Sequence, residues 1–130
     1  MLFDEDGISL KDWKSTLDKG EHAIPTEFIA RAKELNLRNS IFVDITANAS
    51  VSEMYEKFLK ESIAIVTCNK IACSSAYDNY KKLKSLSRQY NAPFLFETNV
   101  GAGLPIIDTV KNLIASVIKC IKYKRFYPEV

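Results

Sequence analysis

The chain has 130 residues, of which 47% are hydrophobic and 26% charged, and its formal net charge at pH 7 is +2. This is the composition of an ordinary globular protein, and the length predicts one small domain. The weak net charge does not indicate nucleic acid or a membrane as a partner, and no apolar run reaches the ~20 residues of a transmembrane helix. Three cysteines without C-x-x-C spacing and a single histidine indicate neither a disulfide framework nor a zinc site, so we expect a cytoplasmic protein.

Two amphipathic helices are predicted in the first third of the chain. Ser9 is a candidate cap for a helix through Leu10, Trp13 and Leu17. Pro25 is expected to open the second helix, whose apolar stripe consists of Phe28, Ile29, Ala32, Leu35 and Leu37. We expect both stripes to cover a sheet as part of the core.

Three apolar segments then alternate with helical patterns. Residues 41–46, 63–67 and 94–97 are short and apolar, which is typical of buried parallel strands. Helices are predicted to start at Ser50 or Ser52, at Ser74 or Ser75, and at Pro105. This order predicts an α/β fold with a parallel sheet, flanking helices and right-handed crossovers.

A polar segment follows each predicted strand. These segments are 46–48, 67–70 and 97–104. Because the carboxyl ends of parallel strands meet at one edge, where such sheets bind ligands, we expect a site there. The hydroxyl of Thr46 and the amide of Asn48 can bind a ribose or a carboxamide, and the small Ala47 leaves room for a flat ring. Turn formation or helix capping is the commoner explanation of the same residues.

Lys70 and the glycine loop are the other candidates. Lys70 can supply positive charge to a cofactor or to a carbonyl oxygen that gains charge during hydride transfer, although a lone lysine is usually only solvated. Gly101 and Gly103 permit a sharp turn. Their spacing imitates a dinucleotide fingerprint, but Ile106 replaces its third glycine.

The glycine loop has a second interpretation as a cation site. The carbonyls of Val100, Ala102 and Leu104, with the carboxylate of Glu97, could surround a small hard cation, which prefers oxygen ligands. An ordinary strand-to-helix turn with a solvated Glu97 explains the sequence about equally well.

Three motifs carry a family resemblance. Residues 43–48, 67–70 and 94–105 resemble the homoserine dehydrogenases, which interconvert homoserine and aspartate 4-semialdehyde with NAD(P)H in threonine and methionine biosynthesis. The resemblance covers roughly residues 1–116 and is strongest to the dehydrogenase part of bifunctional aspartate kinase–homoserine dehydrogenases. It implies a three-layer Rossmann-type sheet, of which this chain is the second half of a dinucleotide-binding domain.

The resemblance also implies roles for individual residues. The implied NAD(P)-binding residues are Thr46, Ala47, Asn48, Thr67, Asn69, Lys70 and Gly101, and Lys70 is also the implied catalytic residue. A structural sodium ion is implied at Glu97, Val100, Ala102 and Leu104. Ala47 and Asn48 depart from the serines common in the family, and Cys68 replaces a proline.

The family also has an earlier pyrophosphate-binding βαβ unit and a later substrate domain, which have no counterpart here. We therefore expect a fragment that is inactive alone and self-associates through its exposed sheet edge. A non-catalytic nucleotide-binding or interaction module is the alternative. Residues 117–130 leave the family pattern as a basic tail, and back-translation in a shifted frame suggests the hypothesis of a frameshift.

Overall fold

A computed structural model of the protein describes residues 1–116. The strands are β1 (Ile41–Asp44), β2 (Ala64–Thr67) and β3 (Phe94–Leu95). The helices are α1 (Trp13–Asp18), α2 (Pro25–Leu35), α3 (Ala49–Ser52), α4 (Tyr55–Lys60), α5 (Ile71–Ser74), α6 (Tyr77–Gln89) and α7 (Ile106–Ala115), and a 3₁₀ turn spans Glu97–Asn99. No helix in this part of the chain is long and apolar enough to cross a membrane. The tail 117–130, with its frameshift hypothesis, lies outside the described residues.

The three strands form one parallel sheet in the order β1-β2-β3. Asp44, the last residue of β1, lies opposite Thr67, the last residue of β2, and Ile65 lies opposite Phe94 in β3. The strands therefore end at a common edge. The predicted parallel α/β sheet with flanking helices is confirmed.

The core lies on one face of this sheet and is rich in aromatic side chains. Phe42 of β1 stacks on Phe58 of α4 with ring centroids 4.1 Å apart. Tyr55 of α4 packs edge-on against both Phe42 and Phe94. Tyr55, Phe58 and Ile65 are at most 1% exposed, so α4 packs closely against the strands that carry the candidate site.

The opposite face of the sheet is open among the described residues. Ile41 is 60% exposed, Val43 59% and Leu95 53%. The apolar runs predict buried strands, but among residues 1–116 the sheet is covered on one face only. The physical reason is that two successive right-handed crossovers in the same direction place their helices on the same face.

The two N-terminal helices behave differently. No residue of α1 is buried, and Leu10, Trp13 and Leu17 are exposed, so the core role predicted for this stripe was wrong. In α2, Ile29 is buried and Phe28 packs against the core. The helix ends at Leu35 because Asn36 adopts the left-handed conformation with φ of 44°.

The two crossovers are each split into a short and a longer helix. Asn48, and not Ser50 or Ser52, caps α3. In the second crossover, the extended backbone of Ser75 separates α5 from α6, so the long helix begins at Tyr77. The short helices α3 and α5 directly follow the polar segments at the sheet edge.

Candidate functional site

The structure brings the three polar segments together at the carboxyl edge of the sheet. The Asn69 amide Nδ2 donates to the backbone carbonyl of Asn48 at 3.0 Å. The Asn99 amide Nδ2 donates to the carbonyl of Asn69 at 3.3 Å, and the Thr98 hydroxyl lies 3.5 Å from the carbonyl of Thr67. The loops after all three strands are therefore hydrogen-bonded to one another.

A buried carboxylate lies beneath these loops. Asp44 is 1% exposed, and its Oδ1 accepts from the backbone N–H of Thr46 at 2.7 Å. Its Oδ2 accepts from the hydroxyl of Tyr55 at 2.6 Å and from Nδ2 of Asn69 at 3.0 Å. Burial alone would raise the pKa of Asp44, but hydrogen bonds led by that of Tyr55 outweigh it and hold the pKa below its ordinary value of 3.8. Asp44 is therefore ionised at neutral pH.

Tyr55 completes the buried network. Its hydroxyl also lies 2.7 Å from Oγ1 of Thr67. This Oγ1 atom of Thr67 accepts from the backbone N–H of Asn69 at 2.9 Å. Burial, followed by the hydrogen bond to Asp44, raises the pKa of Tyr55 well above its ordinary range. The phenol therefore stays protonated and serves as a permanent hydrogen-bond donor.

The first loop is exposed and locally ordered. Thr46 Oγ1 accepts from the N–H of Asn48 at 3.2 Å, and Asn48 Oδ1 caps α3 by accepting from the N–H of Ser50 at 2.9 Å. Turn formation and helix capping therefore account for the hydrogen bonds that the side-chain oxygens of Thr46 and Asn48 accept. Ala47 is exposed, and the side-chain nitrogen of the exposed Asn48 donates no hydrogen bond among residues 1–116.

The second loop separates buried from exposed groups. The polar side-chain atoms of Thr67 and Asn69 are used in internal hydrogen bonds, and both residues are buried. Lys70 is exposed at the start of α5 and makes no ion pair among residues 1–116. Its ammonium group is therefore accessible to a ligand at this edge.

The glycine loop turns at Gly101 and Ala102, with φ of 73° and 51°. Gly103 does not adopt a positive φ, so the turn depends on only one of the two glycines. Both carboxylate oxygens of Glu97 accept backbone N–H groups at the start of α7, from Ile107 at 2.8 Å and Asp108 at 3.0 Å. Glu97 is therefore a helix-capping residue and is not merely solvated.

Three important residues were missed as site residues from sequence: Asp44, Tyr55 and Asn99. Asp44 follows the core-facing Phe42 by two positions in β1, so strand periodicity could have indicated a buried carboxylate. Tyr55 matched the apolar stripe of its helix, and nothing distinguished its hydroxyl. Asn99 is 8% exposed and its Oδ1 is buried without a partner among the described residues, which only the structure reveals.

The known proteins whose sequences are similar to this chain include homoserine dehydrogenases. A sequence model of the NAD-binding domain of homoserine dehydrogenase matches residues 3–97. The bifunctional aspartokinase/homoserine dehydrogenase of Haemophilus influenzae is 39% identical over 119 residues, which are 89% of this chain and 14% of the relative. The homoserine dehydrogenase of Schizosaccharomyces pombe is 34% identical over 92% of this chain and 32% of the relative.

Structural comparison agrees with the sequences. A crystal structure of a Candida auris protein of unknown function superimposes with a TM-score of 0.76 at 29% identity, over 88% of this chain and 32% of that one. This chain thus spans about a seventh of the bifunctional relatives and about a third of the yeast enzyme. Since the family model covers residues 3–97, including β1, β2 and β3, the chain belongs to the homoserine dehydrogenase family and carries part of its NAD-binding domain.

Proposed function

We propose that the three-loop edge is the nicotinamide-side part of an NAD(P) site in a homoserine dehydrogenase. The observation that carries this proposal is the hydrogen bonding of the loops at 46–48, 67–70 and 97–101 to one another at the carboxyl ends of parallel strands. That edge is where open α/β sheets bind their ligands. Family membership supplies the class of ligand.

The residues of this edge divide into contacting and supporting groups. Thr46, Ala47 and Asn48 are exposed and would line the bound cofactor. The side chains of Thr67 and Asn69 are engaged internally, so their direct contacts would come from the backbone. Gly101 would allow the third loop to approach the cofactor closely. The cofactor supplies the hydride chemistry when it is bound.

Lys70 is the proposed catalytic residue. Its exposed ammonium group follows Asn69, which is fixed within the buried network. A positive charge held there would stabilise negative charge on the oxygen of aspartate semialdehyde or homoserine during reaction. These substrates are proposed for the complete enzyme, because this chain spans only part of its relatives.

A sodium ion at the glycine loop remains a separate proposal. Among residues 1–116, no backbone N–H donates to the carbonyls of Val100 and Ala102. The carbonyl of Leu104 accepts from the N–H of Ile106 at 2.8 Å, and Glu97 caps α7, yet an oxygen atom can both accept a hydrogen bond and ligate a cation. The oxygen-rich donor set therefore suits a hard cation in a structural role.

Further proposals concern the context of the chain. Among residues 1–116, β1 is an edge strand with one unpaired side, which supports self-association through that side. We propose a cytoplasmic location, and that residues 1–116 are a partial domain that is inactive alone.

We also propose a frameshift in the tail 117–130, which sequencing of the locus would test. An uninterrupted frame, with no family sequence in the shifted frame downstream, would contradict it.

A chimera tests the proposed function. Residues 1–116 replace the matching segment of the Haemophilus influenzae relative, and homoserine oxidation with NADP⁺ is measured beside NADPH binding. We expect turnover above that of a Lys70→Ala chimera. Binding with no turnover would favour the non-catalytic nucleotide-binding module. A folded chimera that neither binds nor turns over would contradict the cofactor site.

A further inference from the structure

We propose that Asp44 is a positioning residue, whose buried carboxylate, held by Tyr55, fixes the loops that carry Asn48 and Lys70. The functional consequence rests on the proposed function. The structural claim concerns the geometry of the free protein and can be tested without a ligand.

Burying the charge of Asp44 has a cost in free energy. Asp44 is 1% exposed, and no lysine, arginine or histidine forms an ion pair with it among residues 1–116. A buried carboxylate without a cation is destabilising unless several donors surround it. An apolar side chain at this core-facing position, like Phe42 two residues earlier, would avoid that cost. The carboxylate therefore has a role beyond filling the core.

Three hydrogen-bond donors surround the carboxylate of Asp44. They come from three different segments: Thr46 after β1, Tyr55 within α4, and Asn69 after β2. Tyr55 is itself immobilised, since it is 0% exposed and its ring packs between Phe42 and Phe94. The carboxylate thus joins both loops to the most rigid part of the core.

A short path of hydrogen bonds leads from the carboxylate of Asp44 to the backbone of Lys70. Asn69 Nδ2 donates to Asp44 and also to the carbonyl of Asn48, while its Oδ1 accepts from the N–H of Ile71 at 3.1 Å. Lys70 lies between Asn69 and Ile71: the N–H of the peptide after it donates to the Asn69 side chain, and the carbonyl of the peptide before it accepts from Asn99 Nδ2. Losing the carboxylate would release the amide group of Asn69 and, with it, the backbone of Lys70.

Amide hydrogen exchange of the ¹⁵N-labelled 130-residue chain tests this path. The variants are Asp44→Asn, Tyr55→Phe as a milder change, and Ile63→Val as a control that weakens the core away from the network. In Asp44→Asn we expect the amides of Thr46 and Ile71 to exchange on the order of tenfold faster, because their hydrogen-bond acceptors are lost or released. The amide of Ile65, bonded to the carbonyl of Pro93 in the sheet, should be accelerated clearly less than those of Thr46 and Ile71.

The exchange rates distinguish a positioning role of Asp44 from a general effect on the stability of the fold. Faster exchange at Thr46 and Ile71 in Asp44→Asn, and to a smaller extent in Tyr55→Phe, with no such change in Ile63→Val, supports the proposal. Equal acceleration at Ile65, or unchanged exchange at Ile71, overturns it. If Asp44→Asn does not fold, Tyr55→Phe alone decides by the same criterion.

A titration of the same proteins with NADPH addresses the functional consequence. We expect Asp44→Asn to weaken binding about tenfold and Ile63→Val to leave it unchanged, because only the first loosens the loops. A wild-type chain that does not bind NADPH would contradict the proposed function, while the exchange rates would still decide whether Asp44 positions the loops.

Discussion

The hydroxyl of Tyr55 lies 2.6 Å from Oδ2 of Asp44 and 2.7 Å from Oγ1 of Thr67, so one phenol joins the ends of two adjacent strands. The carboxylate can only accept, and the phenol, whose pKa is raised, always carries a proton to donate. This pair forms the base of the candidate cofactor edge, because the loops after β1 and β2 are both hydrogen-bonded to it.

Removing the phenolic hydroxyl should destabilise the fold. In Tyr55→Phe the buried carboxylate loses its shortest hydrogen bond, and we expect the free energy of unfolding to fall by about 1–3 kcal/mol. Tyr77→Phe is the matched control, since Tyr77 is 72% exposed, and it should stay within about 0.5 kcal/mol of the wild type. Urea unfolding followed by circular dichroism measures both. Equal effects of the two changes would show that the buried hydrogen bond contributes nothing.

Asp44 should also make stability depend on pH in the acid range. The pKa of Asp44 is lower in the folded protein than its ordinary value of 3.8. Its contribution to the free energy of unfolding is therefore fully present above pH 3.8 and is lost as the pH falls through the lower pKa of the folded state. Asp44→Asn should remove this component. Glu56→Gln is the control: hydrogen bonds from Lys60 and then Lys82 lower the pKa of Glu56, and its removal should leave the Asp44 component intact.

Unfolding free energies measured in urea between pH 5 and pH 2 would show the difference. The wild-type curve should fall more steeply below pH 3.8 than the curve for Asp44→Asn. Parallel curves would mean that the carboxylate has the same pKa in the folded and unfolded chain.

The two glycines of the third loop should respond differently to alanine. Gly101 has a φ of 73°, and an added Cβ would collide with the side chain of Ile106, so Gly101→Ala should destabilise the protein by about 1–3 kcal/mol. Gly103 has no positive φ and open space around it, so Gly103→Ala should be neutral or slightly stabilising. Thermal unfolding of the two variants tests this contrast. A neutral Gly101→Ala would show that the loop does not require the observed turn.

Strand and helix order followed directly from the sequence, but the buried polar groups did not. Continuous apolar runs located all three strands, although β1 ends at Asp44, two residues early, because its carboxylate accepts the N–H of Thr46. The same apolar runs could not show that one face of the sheet is open among residues 1–116. Apolar periodicity carries no information on hydrogen bonding, so the sequence indicated only a core role for Tyr55. It also indicated Ser50 or Ser52 as the cap of α3, whereas Asn48 is the cap in the structure.

Lys70 should affect catalysis without affecting folding. In the Haemophilus influenzae chimera, Lys70→Ala should reduce kcat/KM on the order of 10²-fold, the size typical of losing one preorganised electrostatic group. Lys57→Ala is the control, because Lys57 is an exposed lysine on α4 with no ion pair among the described residues. Both chimeras should have the same melting temperature. Wild-type kinetics in Lys70→Ala would show that Lys70 is only a solvated surface residue.

The cofactor edge itself is tested most directly by titrating NADPH into the ¹⁵N-labelled chain and following the backbone amide resonances. Because the chain spans only part of its relatives, we expect weak binding, with a Kd on the order of 1 mM, or about −4 kcal/mol. We expect the shifts to be concentrated at residues 46–48, 67–70 and 101, with little change on α2 or α6. No shifts up to several times that Kd, or shifts concentrated away from these three loops, would contradict it.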